Sequence, residues 1–198
     1  MDRGIIQGAT LIYRGEVASK NTKLLTAAFA AGLMETALEE QVNLVNAVAL
    51  AEERGIKVRE QTSKPPGDFA TVIRAEVTTD RKGYVASGTL FGKQFPRLVR
   101  LGEYRLDAHI DSHLLIFTHH DKPGLIGAIG TILGLHGVNI AQMNVGREVK
   151  GGEAIGVVNL DSRPPDEALR QLEALDHVVS LRLIELPEAH EMPPWLGA

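Results

Sequence analysis

Residues 119–124, His-His-Asp-Lys-Pro-Gly, concentrate the groups in this 198-residue chain best suited to hold a small charged molecule. The apolar run before them reads as a strand. The spacing after them reads as a helix, so the loop delivers the chain to a helix N-terminus. Unpaired backbone N–H groups and the helix dipole favour a carboxylate there. Amides near Gly124 and Leu125 are the candidate carboxylate donors, and Asp121 is the candidate partner for an ammonium group. Asn139, at the start of the next strand, both donates and accepts. These types together describe an amino-acid site. A plainer reading stays open beside it: Asp121 as a helix cap and Asn139 as a turn residue. His119 and His120 do not read as a metal site, because adjacent side chains on extended backbone point opposite ways. His136, on the apolar helix face, reads as a packed core residue. Lys93, Arg97 and Arg100 form a weak candidate anion site, against the alternative of solvated charges on a wet sheet face.

Catalytic signatures are missing. Gly124, Gly127, Gly130, Gly134 and Gly137 do not form G-x-G-x-x-G, and they fall within the expected helix rather than in a turn before it. There is no P-loop, nucleophile elbow or H-E-x-x-H. The chain alone is therefore not expected to be a complete enzyme. Gly127, Gly130 and Gly134 share one helix face, and each costs about 1 kcal/mol relative to Ala. Either that face packs closely on the sheet, or a ligand or partner helix approaches it. The absence of cysteine excludes disulfides, thiolate metal sites and a cysteine nucleophile. Residues 1–112 hold 15 basic and 14 acidic side chains, a net of +1; residues 113–198 hold 6 and 11, a net of −5. Neither half carries the dense basic patch of a nucleic-acid binder. No apolar run reaches the roughly 18 residues of a membrane span, and no signal peptide is visible. A cytoplasmic protein without nucleic-acid or membrane partners is the expectation.

The elements that position these residues fall into two parts. In residues 1–110, a strand over 6–13 precedes a helix over 23–31 that Gly32 should stop. A short helical stretch follows, then a helix over 47–54 with Asn46 as cap and Gly55 as terminator. Alternation at 73–77, with turns at 80–83, 92–94 and 102–103, predicts an antiparallel meander. In residues 111–187, the expected order is strand 113–118, a helix with Pro123 at its first position, strand 138–149, strand 154–160, helix 166–175 and strand 178–185. The parity of apolar residues shifts between Ile140 and Met143, which predicts a bulge. This βαββαβ order is the ferredoxin-like arrangement, so the fold class is α+β. Residues 188–198, a proline-rich tail, are expected to trail at the surface.

The run His119-His120-Asp121-Lys122-Pro123-Gly124-Leu125-Ile126, followed by Gly137-Val138-Asn139-Ile140, resembles an ACT domain, a small amino-acid-sensing regulatory module. The N-terminal part, through residues 42–47, 51–56 and 88–92, is similar to the allosteric substrate-binding domain of the long-form D-3-phosphoglycerate dehydrogenase family. Asn144-Val145-Gly146-Arg147 and Gly151-Gly152-Glu153-Ala154 resemble the same family. The resemblance covers nearly all of residues 4–186. It implies a regulatory fragment of a serine-biosynthetic, NAD-dependent oxidoreductase whose NAD and catalytic residues lie on preceding domains of the same polypeptide. It further implies L-serine as feedback effector, with His119, Asp121 and Asn139 as contacts, and a homodimer or tetramer built partly through paired ACT domains. A stand-alone amino-acid sensor or oligomerisation module is the alternative.

Overall fold

The computed structural model describes residues 4–35, 42–63, 65, 67–92 and 95–186. Lys93, most of the second helical stretch and the 188–198 tail lie outside the described residues. The chain divides into two compact units near residue 94.

The first unit contains β1 (Ile6–Gly15), a 3-10 turn (Glu16–Ser19), α1 (Lys23–Glu35), α2 (Ala47–Glu53), β2 (Lys57–Ser63), β3 (Thr71–Thr79) and β4 (Gly83–Phe91). Its strands lie in the order β2-β1-β3-β4, with β1 parallel to β2 and antiparallel to β3. The two helices provide the crossover that a parallel pair needs. Alternate residues Ala9, Leu11 and Tyr13 of β1 are buried. The Tyr13 hydroxyl meets the Thr26 hydroxyl of α1 at 2.7 Å, and burial pushes the phenol pKa up. Ala30 and Ala31 pack against Ala47, and Met34 packs against Ala51 and Ile56; small side chains let α1 and α2 approach closely.

Two details correct the sequence reading. Gly32 does not stop α1, which continues to Glu35; a Cβ at Gly32 would meet nothing. Asn46 precedes α2 without a side-chain cap, its Oδ1 accepting instead from the Asn43 amide at 2.8 Å. Gly55 does terminate α2, at φ +76°, with Gly55 N–H donating to Glu52 and Ile56 N–H to Ala51.

The second unit begins with a hairpin, β5 (Phe95–Leu101) and β6 (Tyr104–His109). It continues as β7 (His113–His120), α3 (Leu125–Leu135), β8 (Ile140–Arg147), β9 (Glu153–Leu160), α4 (Asp166–Glu173) and β10 (Val178–Glu185). The last four strands form an antiparallel sheet in the order β10-β7-β9-β8. The α+β class and the ferredoxin-like order are therefore as read from the sequence. The register of β8 against β9 shifts between Ile140 and Gln142, where the parity change predicts a bulge.

Both faces of this sheet are covered. On one, Leu115, Phe117, Val158 and Leu160 pack under Leu125, Ile129 and Leu133 of α3 and Leu172 of α4. On the other, Leu114, Ile155 and Val157 pack against Leu106 and Ala108 of the β5–β6 hairpin. Close approach explains two glycines. A Cβ at Gly146 would lie 2.5 Å from the Arg105 carbonyl oxygen of β6, and one at Gly156 would run into the Phe117 ring.

Further corrections concern α3. Pro123 is not its first residue; Gly124 is the N-cap, at φ +92°, where glycine is favoured, and Leu125 opens the helix. His136 is the C-cap, half-buried rather than in the core, with Nε2 3.1 Å from Gln171 Oε1 of α4. A Cβ at Gly127, Gly130 or Gly134 would meet nothing within 4 Å, so this face does not pack on the sheet.

Because Phe117 is fully buried, its ring cannot retreat from a methyl group without disturbing the core. Gly156→Ala is expected to cost about 1–3 kcal/mol, as overpacking does. Chemical denaturation measures it, and an unchanged midpoint would contradict the packing.

Candidate effector site

β7 runs through His119 and His120, which the sequence places in the loop, so the loop proper begins at Asp121; it leaves β7 at the end where His119 pairs with Ala154, and Ala154 with Arg147. The loop is therefore bordered by the end of β8 and the turn that follows it. Asp121 bridges to that turn. Its Oδ2 accepts from Arg147 Nη1 at 2.7 Å and from the Gly151 amide at 3.2 Å, while its own N–H donates to the Gly152 carbonyl at 2.8 Å. The Arg147 guanidinium, with the Gly151 amide, holds the Asp121 carboxyl below the usual carboxylate range. The capping reading of Asp121 is thereby overturned.

The start of α3 has no side-chain cap, and its first backbone bond runs from the Ala128 N–H to the Gly124 carbonyl. The amides of the first turn, beginning at Leu125, thus lack intrahelical acceptors. Leu125 contributes only its backbone here, because its side chain is buried in the core.

His119 is buried, 1% exposed, with its ring 5.3 Å from that of Phe117. Its Nδ1 lies 3.0 Å from the His120 carbonyl oxygen. A carbonyl only accepts, so Nδ1 carries a proton, and in the neutral ring Nε2 is an acceptor. That Nε2 is buried without a partner, a position a hydroxyl proton would satisfy.

Asn139 stands elsewhere. It precedes Ile140, which pairs with Leu160, which in turn pairs with His113. It therefore lies at the opposite end of the sheet from Asp121, about 25 Å along β8 by strand rise. There its Nδ2 donates to Asp161 Oδ2 at 2.6 Å, and its carbonyl accepts from the Asp161 amide. One copy of the chain brings His119, Asp121, Gly124 and Leu125 together and sets Asn139 apart.

Arg97 and Arg100 lie on β5, each with a carboxylate. Arg97 Nε is 3.3 Å from Asp107 Oδ1, and Arg100 Nη2 is 2.9 Å from Glu103 Oε2. No group of three His, Asp or Glu side chains among the described residues is placed to hold a metal. The glycines inside α3 do not form the phosphate-binding turn that NAD requires. No helix among the described residues is long and apolar enough to cross a membrane.

Comparison with known proteins places these features in a family. A model of the D-3-phosphoglycerate dehydrogenase intervening domain matches residues 1–102, and a model of the ACT domain matches residues 113–177. The chain belongs to the D-3-phosphoglycerate dehydrogenase intervening-domain family. It corresponds to the C-terminal regulatory part of such dehydrogenases. It is 34% identical over 182 residues to D-3-phosphoglycerate dehydrogenase of Bacillus subtilis, covering 92% of this chain and 35% of that protein. It is 32% identical over 185 residues to the Archaeoglobus fulgidus protein of the same name, with the same coverages. The Synechocystis protein of that name is 35% identical over 170 residues, 85% of this chain and 31% of its own length. The chain thus spans about a third of the length of the relatives it matches.

Within this regulatory part, Arg147 and Gly151 are the partners of Asp121 that side-chain types did not single out. The signal for them was the pairing of β7, β9 and β8, which sets Arg147 beside the end of β7.

Because its folded pKa is depressed, the stabilisation from the Asp121 pair is present in full above the ordinary aspartate value of about 3.9 and is lost progressively as pH falls from there through the folded value. A carbon-detected NMR titration of the Asp121 carboxyl should give a midpoint below that value, moving up toward it in Arg147→Gln. A midpoint at or above it in the unmodified chain would contradict the pairing.

Proposed function

We propose that this chain is the effector-binding and assembling part of a cytoplasmic D-3-phosphoglycerate dehydrogenase, and that its ACT domain binds L-serine as a feedback effector. NAD and the reacting groups then belong to catalytic domains outside this chain. The observation that carries the reading is the 119–124 loop. It sets an ionised carboxylate beside a helix start whose amides have no side-chain cap, the two charges of an amino-acid zwitterion in complement. Asp121 takes the ammonium group and the amides at Gly124 and Leu125 take the carboxylate. The buried Nε2 of His119 accepts the serine hydroxyl proton once the loop parts over it.

Asn139 completes the site from a second copy. The distance along β8 precludes a contribution from the same copy, and the uncovered glycines of α3 leave room for another helix to approach. The anion-binding role of Lys93, Arg97 and Arg100 remains a weaker part of the reading, because the two arginines already face carboxylates.

Titration calorimetry with L-serine against a panel of amino acids tests the proposal directly. His119→Ala removes one neutral hydrogen bond of about 1 kcal/mol and is expected to weaken serine binding about fivefold. Asp121→Ala is expected to weaken it more. Unchanged affinity in Asp121→Ala would overturn the site.

Sedimentation at micromolar concentration is expected to show a dimer or larger assembly, reduced by Gly130→Leu. A monomer would contradict completion of the site by a second copy.

A further inference from the structure

The ammonium subsite already holds a cation. Arg147 Nη1 sits 2.7 Å from the Asp121 oxygen, on the carboxylate assigned above to the effector's ammonium group. We infer that Arg147 is a tethered counter-ion that occupies the ammonium subsite when the effector is absent and is displaced when it binds, so that it sets the affinity of the site. This inference rests on the proposed serine site and deepens it.

Three observations support displacement over a merely structural pin. First, the loop and the turn after β8 are joined without Arg147, by the Asp121 amide on the Gly152 carbonyl at 2.8 Å and the Gly151 amide on Asp121 at 3.2 Å. Removing the guanidinium therefore leaves the two segments tied. Second, the Arg147 side chain is 52% exposed, against 25% for Asp121. The arginine can swing into water while the aspartate stays in place. Third, a half-exposed ion pair of this kind is weak, being screened by solvent and salt and opposed by side-chain entropy. An ammonium group held at the same time through its carboxylate and hydroxyl can replace it.

A carboxylate closed on its own chain's cation for most of the time lowers apparent affinity by the fraction of open sites. If nine in ten sites are closed, the penalty is about tenfold. The role of Arg147 is then to raise the serine concentration at which the site fills, and to report filling by a freed guanidinium beside the 148–152 turn.

Calorimetry with L-serine on unmodified chain, Arg147→Gln and Arg147→Lys tests the inference, with circular dichroism checking that all three fold. Arg147→Gln is expected to bind roughly tenfold tighter, and Arg147→Lys close to the unmodified chain. Phenylglyoxal labelling read by mass spectrometry provides the second measurement: reactivity at Arg147 should rise when L-serine is added. Equal or weaker binding in Arg147→Gln, or protection of Arg147 by serine, overturns the inference while leaving the serine site standing. Absence of serine binding in every form, including the unmodified chain, overturns the serine site and the displacement with it.

Discussion

A strand buried on both faces governs the second unit. From Ala154 to Leu160 every residue of β9 is buried. A single pair of helices can cover only one side of a sheet, so a strand of this kind requires a second cover. Val158 and Leu160 turn to the helices; Ile155 and Val157 turn to Leu106 and Ala108 of the hairpin. The glycines follow from the same demand. Gly156 gives up its side chain so that Phe117 can lie over the backbone, and Gly146 gives up its own so that β6 can come near.

That rigid centre determines what the rim can do. β7 ends beside Ala154 and Arg147, so the loop that follows it emerges against the end of β8. Asp121 and the start of α3 are consequently presented on fixed elements, while their charges remain in contact with water. The Asp121 carboxylate accepts from the Gly151 amide, and the Arg147 guanidinium on it is half-exposed. His119 precedes this loop as a buried residue, its ring against Phe117 and its Nε2 without a partner.

The βαββαβ order was readable because each signal was local. Gly55 and Gly137 end their helices in left-handed backbone, and the parity change after Ile140 marks the bulge. The 119–124 loop was readable for the same reason, since a strand, a short polar run and a helix lie consecutively. What was not readable depended on distant partners. Asp121 looks like a cap until Arg147, 26 positions later, is found beside it. His136 looks like core until α4 supplies Gln171 at its edge. Gly32 looks like a stop, yet neighbouring alanines packed against α2 carry the helix through it. The meander order of β3 to β6 was itself legible; what the alternation in β5 and β6 does not say is that their apolar side meets Leu114, Ile155 and Val157.

The hairpin also limits how this regulatory module can be transplanted. Its ACT match begins at residue 113, but the surface formed by Leu114, Ile155 and Val157 packs against Leu106 and Ala108, which come earlier in the chain. A graft cut at the family boundary would carry a greasy, unpaired flank into its new host, inviting aggregation before any ligand was sensed. A graft that starts at Phe95 takes its own lid along. For the engineer who moves such sensors between enzymes, the exchangeable piece is therefore longer than the motif that names it.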